Sequence, residues 1–234
     1  MQSTASVYLI PSFLSEDAKS SIPPYVMDGV RNCEVIFAEH ERTVRRYLKA
    51  MDPSIQIDAY EWHKLHPDNP DYLIDFRRSI QAGKQIAIIS EAGCPGIADP
   101  GQELVALAHA MHAKVLPLVG PSSILLALMG SGLNGQYFEF IGYLPIKPDE
   151  RIKKIREIDL RIQKTGITSM FIETPYRNQS LLESLIQNTH AETKLCLAID
   201  LTGKNESIQT KTVREWKEKK TELPKTPTIF LLGK

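Results

Sequence analysis

Between Ser90 and Gly101 the run SEAGCPGIADPG gathers Glu91 and Asp99, Gly93, Gly96 and Gly101, and Pro95 and Pro100 into one short stretch. Small side chains leave space there, and glycine lets the backbone and its amide donors come close to a ligand. The run lies after a predicted buried strand, Gln85 to Ser90 (QIAIIS), and before a predicted helix, Gln102 to His112. In an open α/β sheet the loop at a strand's carboxyl end is where ligands bind. Glycines at 93, 96 and 101 do not make the G-x-G-x-x-G fingerprint, and no phosphate-binding lysine precedes a serine or threonine. A nicotinamide dinucleotide or a nucleoside triphosphate is therefore disfavoured. The same composition also suits a plain tight connection between strand and helix.

Other reactive residue types point away from metal. Cys33, Cys94 and Cys196 are far apart and odd in number, which fits reduced thiols rather than a disulfide framework or a zinc site. His63 and His66, and His109 and His112, are three apart, but neither pair has a complementary ligand set in its neighbourhood, so no metal is expected. Lys plus Arg equals Asp plus Glu at 28 each, which leaves no global positive field for nucleic acid. Any RNA contact must use a local patch. Hydrophobic residues at 42% and charged residues at 24% describe an ordinary globular chain that can build its core without staples. The start, MQSTASVYLIPS, lacks the basic n-region and apolar h-region of a signal peptide, so a cytoplasmic location without membrane contact is expected.

The elements that would position these residues alternate. Val7 to Pro11 and Glu34 to Ala38 read as buried parallel strands. Between them a helix is expected from about Ser15 to the Asp28-Gly29-Val30-Arg31 run, kinked or interrupted at Pro23-Pro24. Glu41 to Ala50 reads as a helix, Ile55 to Tyr60 as a strand, Asp71 to Ala82 as an amphipathic helix capped by Gly83, and Lys114 to Val119 as a strand. Strand and helix in alternation predict an α/β domain with a mainly parallel sheet. After Gly120-Pro121-Ser122 the pattern predicts a helix to about Gly130, a strand Tyr137 to Gly142, and a helix Arg151 to Gln163. Then follow a strand Thr168 to Glu173, a helix Gln179 to Gln187, a strand Lys194 to Leu201, a helix Thr212 to Lys220 and a strand Thr228 to Leu232. This half reads as a second α/β domain with a mixed sheet. The expected domains are 1–119 and 120–234.

With those elements placed, four ordered segments carry a resemblance. SEAGCPGIADPG, VLPLVGPSSILLALMGSGL, FEFIGYLPIKPDER and Phe171-Ile172-Glu173-Thr174-Pro175-Tyr176-Arg177 resemble the tetrapyrrole methylase superfamily. The nearest branch is the bacterial methyltransferases of a cytidine ribose 2′-hydroxyl in small-subunit ribosomal RNA, with SDAG-P-I-DPG, PGPS-ALSASGL, G-F-L-P and FYESPHR motifs. The resemblance covers roughly residues 85 to 185 well. It implies a two-domain fold with S-adenosylmethionine folded into a cleft between the domains, and a homodimer. The matching positions for the cofactor are Pro11, Glu91, Ala92, Gly93, Ile97, Ala98, Pro121, Ser122, Ile172, Glu173, Thr226, Pro227 and Thr228. Most would act through main chain and shape.

Two family patterns are broken on the acceptor side. T-P-I-G-N-L is replaced by Pro11-Ser12-Phe13-Leu14-Ser15 after the first strand, and A-E-D-T-R by Ala38-Glu39-His40-Glu41-Arg42 after the second. Glu91 also stands for an aspartate. Methyl transfer from a sulfonium is an in-line displacement, so alignment supplies much of the rate. A ribose hydroxyl must also lose its proton to a general base, for which Glu39 and His40 are the candidates. A polar strand exit with solvated charges would read the same way. Arg42, Arg45, Arg46 and Lys49, or Arg151, Lys153, Lys154 and Arg156, are spaced to share a helix face and could meet RNA phosphates. Tyr143 and Tyr176 are candidates for stacking on a base, although aromatics near strand ends more often sit in the core or at its rim. Methylation of a small molecule such as a tetrapyrrole precursor, or S-adenosylmethionine binding without catalysis, would use the same donor-side residues.

Overall fold

A computed structural model describes residues 5–66, 71–218 and 221–234. By its contacts the chain divides into two compact units, Met1–Ser122 and Ser123–Lys234.

The first unit holds β1 (Ser6–Ile10), α1 (Tyr25–Arg31), β2 (Val35–Ala38), α2 (Glu41–Met51), β3 (Glu61–Lys64), α3 (Asp71–Gln81), β4 (Gln85–Ile89), α4 (Gln102–Ala110) and β5 (Lys114–Pro117). Its sheet has the order β3-β2-β4-β1-β5. Every pairing in it is parallel. Alternate residues of each strand face opposite sides, so each apolar strand feeds two cores. Ile10, Ile36, Ala38, Ala87 and Ile89 pack under Val26, Val30, Val44 and Leu48 of α1 and α2. Val7, Val35, Phe37, Ile86 and Ile88 pack under Phe76, Ile80, Leu104 and Ala108 of α3 and α4.

The chain thus leaves β1 and β2 toward one face and the intervening β4 toward the other. Loops that part in this way open a crevice at the strands' carboxyl ends.

Two local expectations are corrected here. The helix expected from Ser15 is instead a single 3-10 turn at Lys19–Ser21, followed by α1. Pro23 and Pro24 start that helix, because a residue without an N–H is tolerated where helical amides lack partners; their carbonyls accept from Val26 and Met27 at 3.0 and 3.1 Å. The strand expected at Ile55 to Tyr60 is a 3-10 turn at Ile57–Ala59. Ile55 and Ile57 are buried beneath α1 and α2, so their alternation reflects burial of irregular backbone. The strand lies one step later, at Glu61–Lys64, as a sheet edge.

The second unit holds α5 (Ser123–Ser131), β6 (Phe138–Tyr143), α6 (Pro148–Thr165), β7 (Thr168–Ile172), α7 (Asn178–Asn188), β8 (Lys194–Ile199), β9 (Ser207–Thr212), α8 (Val213–Glu218) and β10 (Thr228–Gly233). Its order is β6-β7-β10-β8-β9, with β6 and β7 parallel and the other pairs antiparallel. Ile155, Ile158 and Ile162 of α6, Leu181 and Leu185 of α7, and Trp216 of α8 cover one face through Phe171, Leu195, Leu197 and Phe230. α5 packs on β8, β9 and β10. The strand β9 was not expected from the sequence. It is a polar edge strand, SIQTKT, with one hydrogen-bonded neighbour, so no apolar run marks it. The expected last helix was to reach Lys220, which lies outside the described residues; α8 is described to Glu218.

Candidate active site

In the first unit, three strand ends meet. Register fixes their relative height: Ala38 pairs with Ile89, and Ile10 with Ile89, across parallel ladders. Residues just beyond β1, β2 and β4 therefore emerge side by side. These are Pro11 and Ser12, Glu39 and His40, and Ser90 to Ala92.

The loop after β4 is tied down from within and from β1. Ser12 and Gly93 exchange backbone hydrogen bonds at 2.9 and 3.0 Å. Ser12 Oγ donates to the Ser90 carbonyl at 2.8 Å, and Ser90 Oγ donates to the Gly93 carbonyl at 2.7 Å. Both serines are buried. Ser12, read as a break in a family pattern, is thus a structural tie, a role visible only once β1 and β4 are neighbours. Phe13, the next departure, packs edge-on against Tyr47 with ring centroids 5.2 Å apart. Tyr47 Oη donates to the Pro11 carbonyl at 2.8 Å.

Backbone shape in this loop is unusual. Gly93, Gly96 and Gly101 have φ of 75°, 74° and 122°, and Ala98 has 55°. A left-handed alanine is strained, which is common where a loop is held for a ligand. Ala92, Ile97 and Ala98 are exposed, whereas Gly93 is buried. Pro121 is also buried, and its carbonyl lies 3.5 Å from Cys94 Sγ. Pro11, Glu91, Ala92, Gly93 and Pro121 are therefore gathered around one loop system. Ser122 is half-buried at the end of this unit.

The charged groups concentrate at the same place. His40 Nδ1 lies 2.7 Å from Glu91 Oε1. Donor atoms of Glu39, His40 and Glu91 all lie within 4.8 Å of one another. Asp99, to which the sequence assigned no role, has its carboxyl pushed up to about 6, first by burial and then by the charges of Glu39 and Glu91. Its signal was composition alone, a carboxylate among glycines and prolines.

The second unit brings its own set together. In the antiparallel ladder Ile172 pairs with Ile229, so the end of β7 lies beside the start of β10. Ile172 and Glu173 thereby meet Thr226, Pro227 and Thr228. The Glu173 carboxylate is 2% exposed and accepts from Arg177 at 2.7 Å and from the Thr174 amide at 2.7 Å. Asn178 Nδ2 donates to the Thr226 carbonyl at 3.0 Å, and the Pro227 carbonyl accepts from the Asp200 amide at 3.0 Å. Thr226 Oγ1 and Asn178 Oδ1 are buried and have no partner among the described residues. A buried orphan oxygen is uncommon and marks a place where a further polar group would be accepted.

The charged patches sort differently from expectation. Arg151 is buried and donates to Ser180 Oγ, Lys154 pairs with Glu157, and Arg156 donates to Asn188, so the α6 cluster largely serves its own unit. On α2, Arg45 is held by Glu41 and Asp58 and lies over Trp62, and Arg46 pairs with Glu16. Arg42 is exposed and has no ion pair among the described residues. Tyr143 and Tyr176 are 60% and 82% exposed, so neither is core. His63 bridges Glu61, two residues before it in sequence, and Asp75, which the fold brings to it, at 2.8 and 3.2 Å. His109 and His112 are exposed. No helix among the described residues is long and apolar enough to cross a membrane.

Known proteins share this architecture. No family model matches the chain. It is 30% identical over 203 residues to ribosomal RNA small subunit methyltransferase I of Vibrio cholerae, covering 87% of this chain and 67% of that protein. It is also 30% identical over 188 residues to the protein of that name in Mesorhizobium japonicum, covering 80% and 61%. The chain thus spans roughly two thirds of the length of these relatives. Among solved structures it superposes on the methyltransferase CobJ with a TM-score of 0.62 at 18% identity, over 98% of this chain and 93% of that one. The two parallel and mixed sheets are those of the tetrapyrrole methylase fold, and by sequence the chain belongs to the ribosomal RNA small subunit methyltransferase I family.

Proposed function

We propose that this chain is an S-adenosylmethionine-dependent methyltransferase that acts on a ribose 2′-hydroxyl of small-subunit ribosomal RNA. One observation carries the reading beyond family membership. The carboxyl ends of β1, β2 and β4 emerge side by side, with a strained loop of exposed small residues beside Glu39, His40 and Glu91.

The residues present fit the cofactor. Gly93, Gly96 and Ala98 hold a loop with left-handed turns, a shape that aims amides at a ligand. In the second unit the orphan Thr226 Oγ1 supplies a polar group for an adenine edge. In the first unit Pro11, Glu91, Ala92, Gly93, Ile97, Ala98, Pro121 and Ser122 are the groups that would hold it, and the second unit offers its own candidate set, Ile172, Glu173, Thr226, Pro227 and Thr228. When bound, S-adenosylmethionine supplies an electrophilic methyl group on a sulfonium.

The chain's own part is orientation and proton removal. The Ser12–Gly93 tie fixes the donor loop, and a fixed loop keeps the reacting atoms near attack distance. Glu39 and His40 are the candidate bases. Exposed Arg42, the second residue of α2, is the candidate to meet a phosphate. A homodimer in the cytoplasm completes the reading, and light scattering at the monomer mass would count against the dimer.

The reading is tested in two steps. Calorimetry with S-adenosylmethionine should give saturable heat. Tritiated methyl donor, incubated with small ribosomal subunits from a strain lacking this gene, should then label the RNA. Label confined to low-molecular-weight material would reject the RNA substrate, and absence of binding would reject the methyltransferase.

A further inference from the structure

We infer that His40 is the group that takes the proton of the acceptor hydroxyl, and that Glu91 is its positioning residue, holding the ring through Nδ1. This rests on the methyltransferase reading and separates two bases that the sequence left equivalent.

The geometry begins with the sheet. Ala38 and Ile89 are paired partners in the β2–β4 ladder, and His40 and Glu91 each stand two residues beyond them. The parallel register therefore delivers both side chains to one height, and the contact of 2.7 Å follows. His40 has extended backbone at the position before α2, so it sits on a strand-to-helix junction fixed at both ends. Glu91 sits on a loop that the Ser12–Gly93 bridge holds in place.

A carboxylate only accepts, so the contact requires a proton on Nδ1. In the neutral ring the lone pair is then on Nε2, and that nitrogen is the acceptor available to substrate. The side chain of His40 is 57% exposed and that of Glu91 35%, so a substrate can reach the ring. Imidazole is in general a stronger base than a carboxylate and is still largely unprotonated near neutral pH. Carboxylate oxygens of Glu39 and Glu91 both lie within 4.8 Å of a ring nitrogen, so the ring is held among acceptors.

The step balances. The hydroxyl oxygen forms a bond to the methyl carbon, the carbon–sulfur bond breaks with its electron pair going to sulfur, and the hydroxyl proton goes to Nε2 of His40. The positive charge lost at sulfur reappears on the imidazolium.

The test uses the full chain with small ribosomal subunits that lack the methyl group, and compares H40A, E91Q and the double variant. Expected for H40A is a fall in kcat of about 100-fold or more, partly restored by added imidazole. Measured at saturating S-adenosylmethionine, E91Q should lower kcat about 10-fold to 100-fold. On the H40A background E91Q should do nothing further, because a residue acting through His40 has no second route. Full persistence of the E91Q loss in the double variant would overturn the inference. Activity lost to a chelator and restored by a divalent cation would also overturn it, assigning Glu39, His40 and Glu91 to an ion instead. A wild-type chain that transfers methyl no faster than H40A sinks this inference alone. A wild type that neither binds S-adenosylmethionine nor transfers methyl sinks the underlying reading with it.

Discussion

Ser12 and Gly93 hydrogen-bond to each other through both their amides and carbonyls, at 2.9 and 3.0 Å, although the strands from which their loops depart are parallel. The chain after β1 turns back to meet the loop after β4 in an antiparallel bridge. This ties the chain after β1 to the loop that carries Glu91, the partner of His40. In the same region Gly120 passes close against the Pro11 ring.

A Cβ added to Gly120 would lie 2.2 Å from Pro11 Cβ and 2.4 Å from its Cγ. A pyrrolidine ring cannot swing aside, so the backbone must shift. Gly120→Ala is expected to destabilise the chain by about 1 to 3 kcal/mol. Denaturant unfolding of wild type and variant checks it, and an unchanged midpoint would show that the β5 exit yields freely.

Asp99 makes stability depend on pH in a direction unusual for a carboxylate. Its folded pKa of about 6 lies above its ordinary value of 3.8, so between those limits the folded chain binds more protons than the unfolded one. The group's contribution is most favourable below the ordinary value and is lost as pH rises through about 6. Asp99→Asn should therefore raise the Tm relative to wild type at pH 7.5, and the difference should shrink toward pH 4. A constant difference across that range would place the effect elsewhere.

The Glu173 carboxylate is 2% exposed and has Arg177 as its cationic partner. Removing the arginine leaves a buried anion with only the Thr174 amide to compensate it, whereas Gln at 173 leaves no charge. Arg177→Ala is expected to cost about 3 kcal/mol and Glu173→Gln clearly less. Thermal unfolding of the two variants at neutral pH gives the comparison. Equal losses would mean that packing, not charge, dominates there.

Thiol chemistry should be graded by burial. Cys33 is buried and its thiol is pushed up to about 12 by desolvation and by the charge of Glu34. Cys196 is buried as well, with its thiol raised by burial. Cys94 is only half-buried, in the candidate loop beside the Gly120 and Pro121 carbonyls. A neutral aromatic disulfide reagent should modify Cys94 first and slowly in the native chain, with Cys33 and Cys196 reacting only on unfolding. S-adenosylmethionine should slow the Cys94 reaction. Fast labelling of Cys33 in the native state would contradict the packing around α1.

The sequence by itself determined the alternation of strands and helices, because buried parallel strands such as QIAII and VIFA are continuous apolar runs that no surface element resembles. It also marked the run from Ser90 to Gly101 as a loop and hence as the candidate site, since glycine, proline and acidic residues cannot share such a strand. It did not determine the edges. Glu61–Lys64 and Ser207–Thr212 are strands because a neighbour offers a ladder, and their half-exposed side chains carry little periodic signal. Nor could local sequence join Ser12 to Gly93, His40 to Glu91, or Asp99 to the charges of Glu39 and Glu91. Those relationships exist only after β4 inserts between β1 and β2, and that insertion is chosen by which apolar faces bury one another.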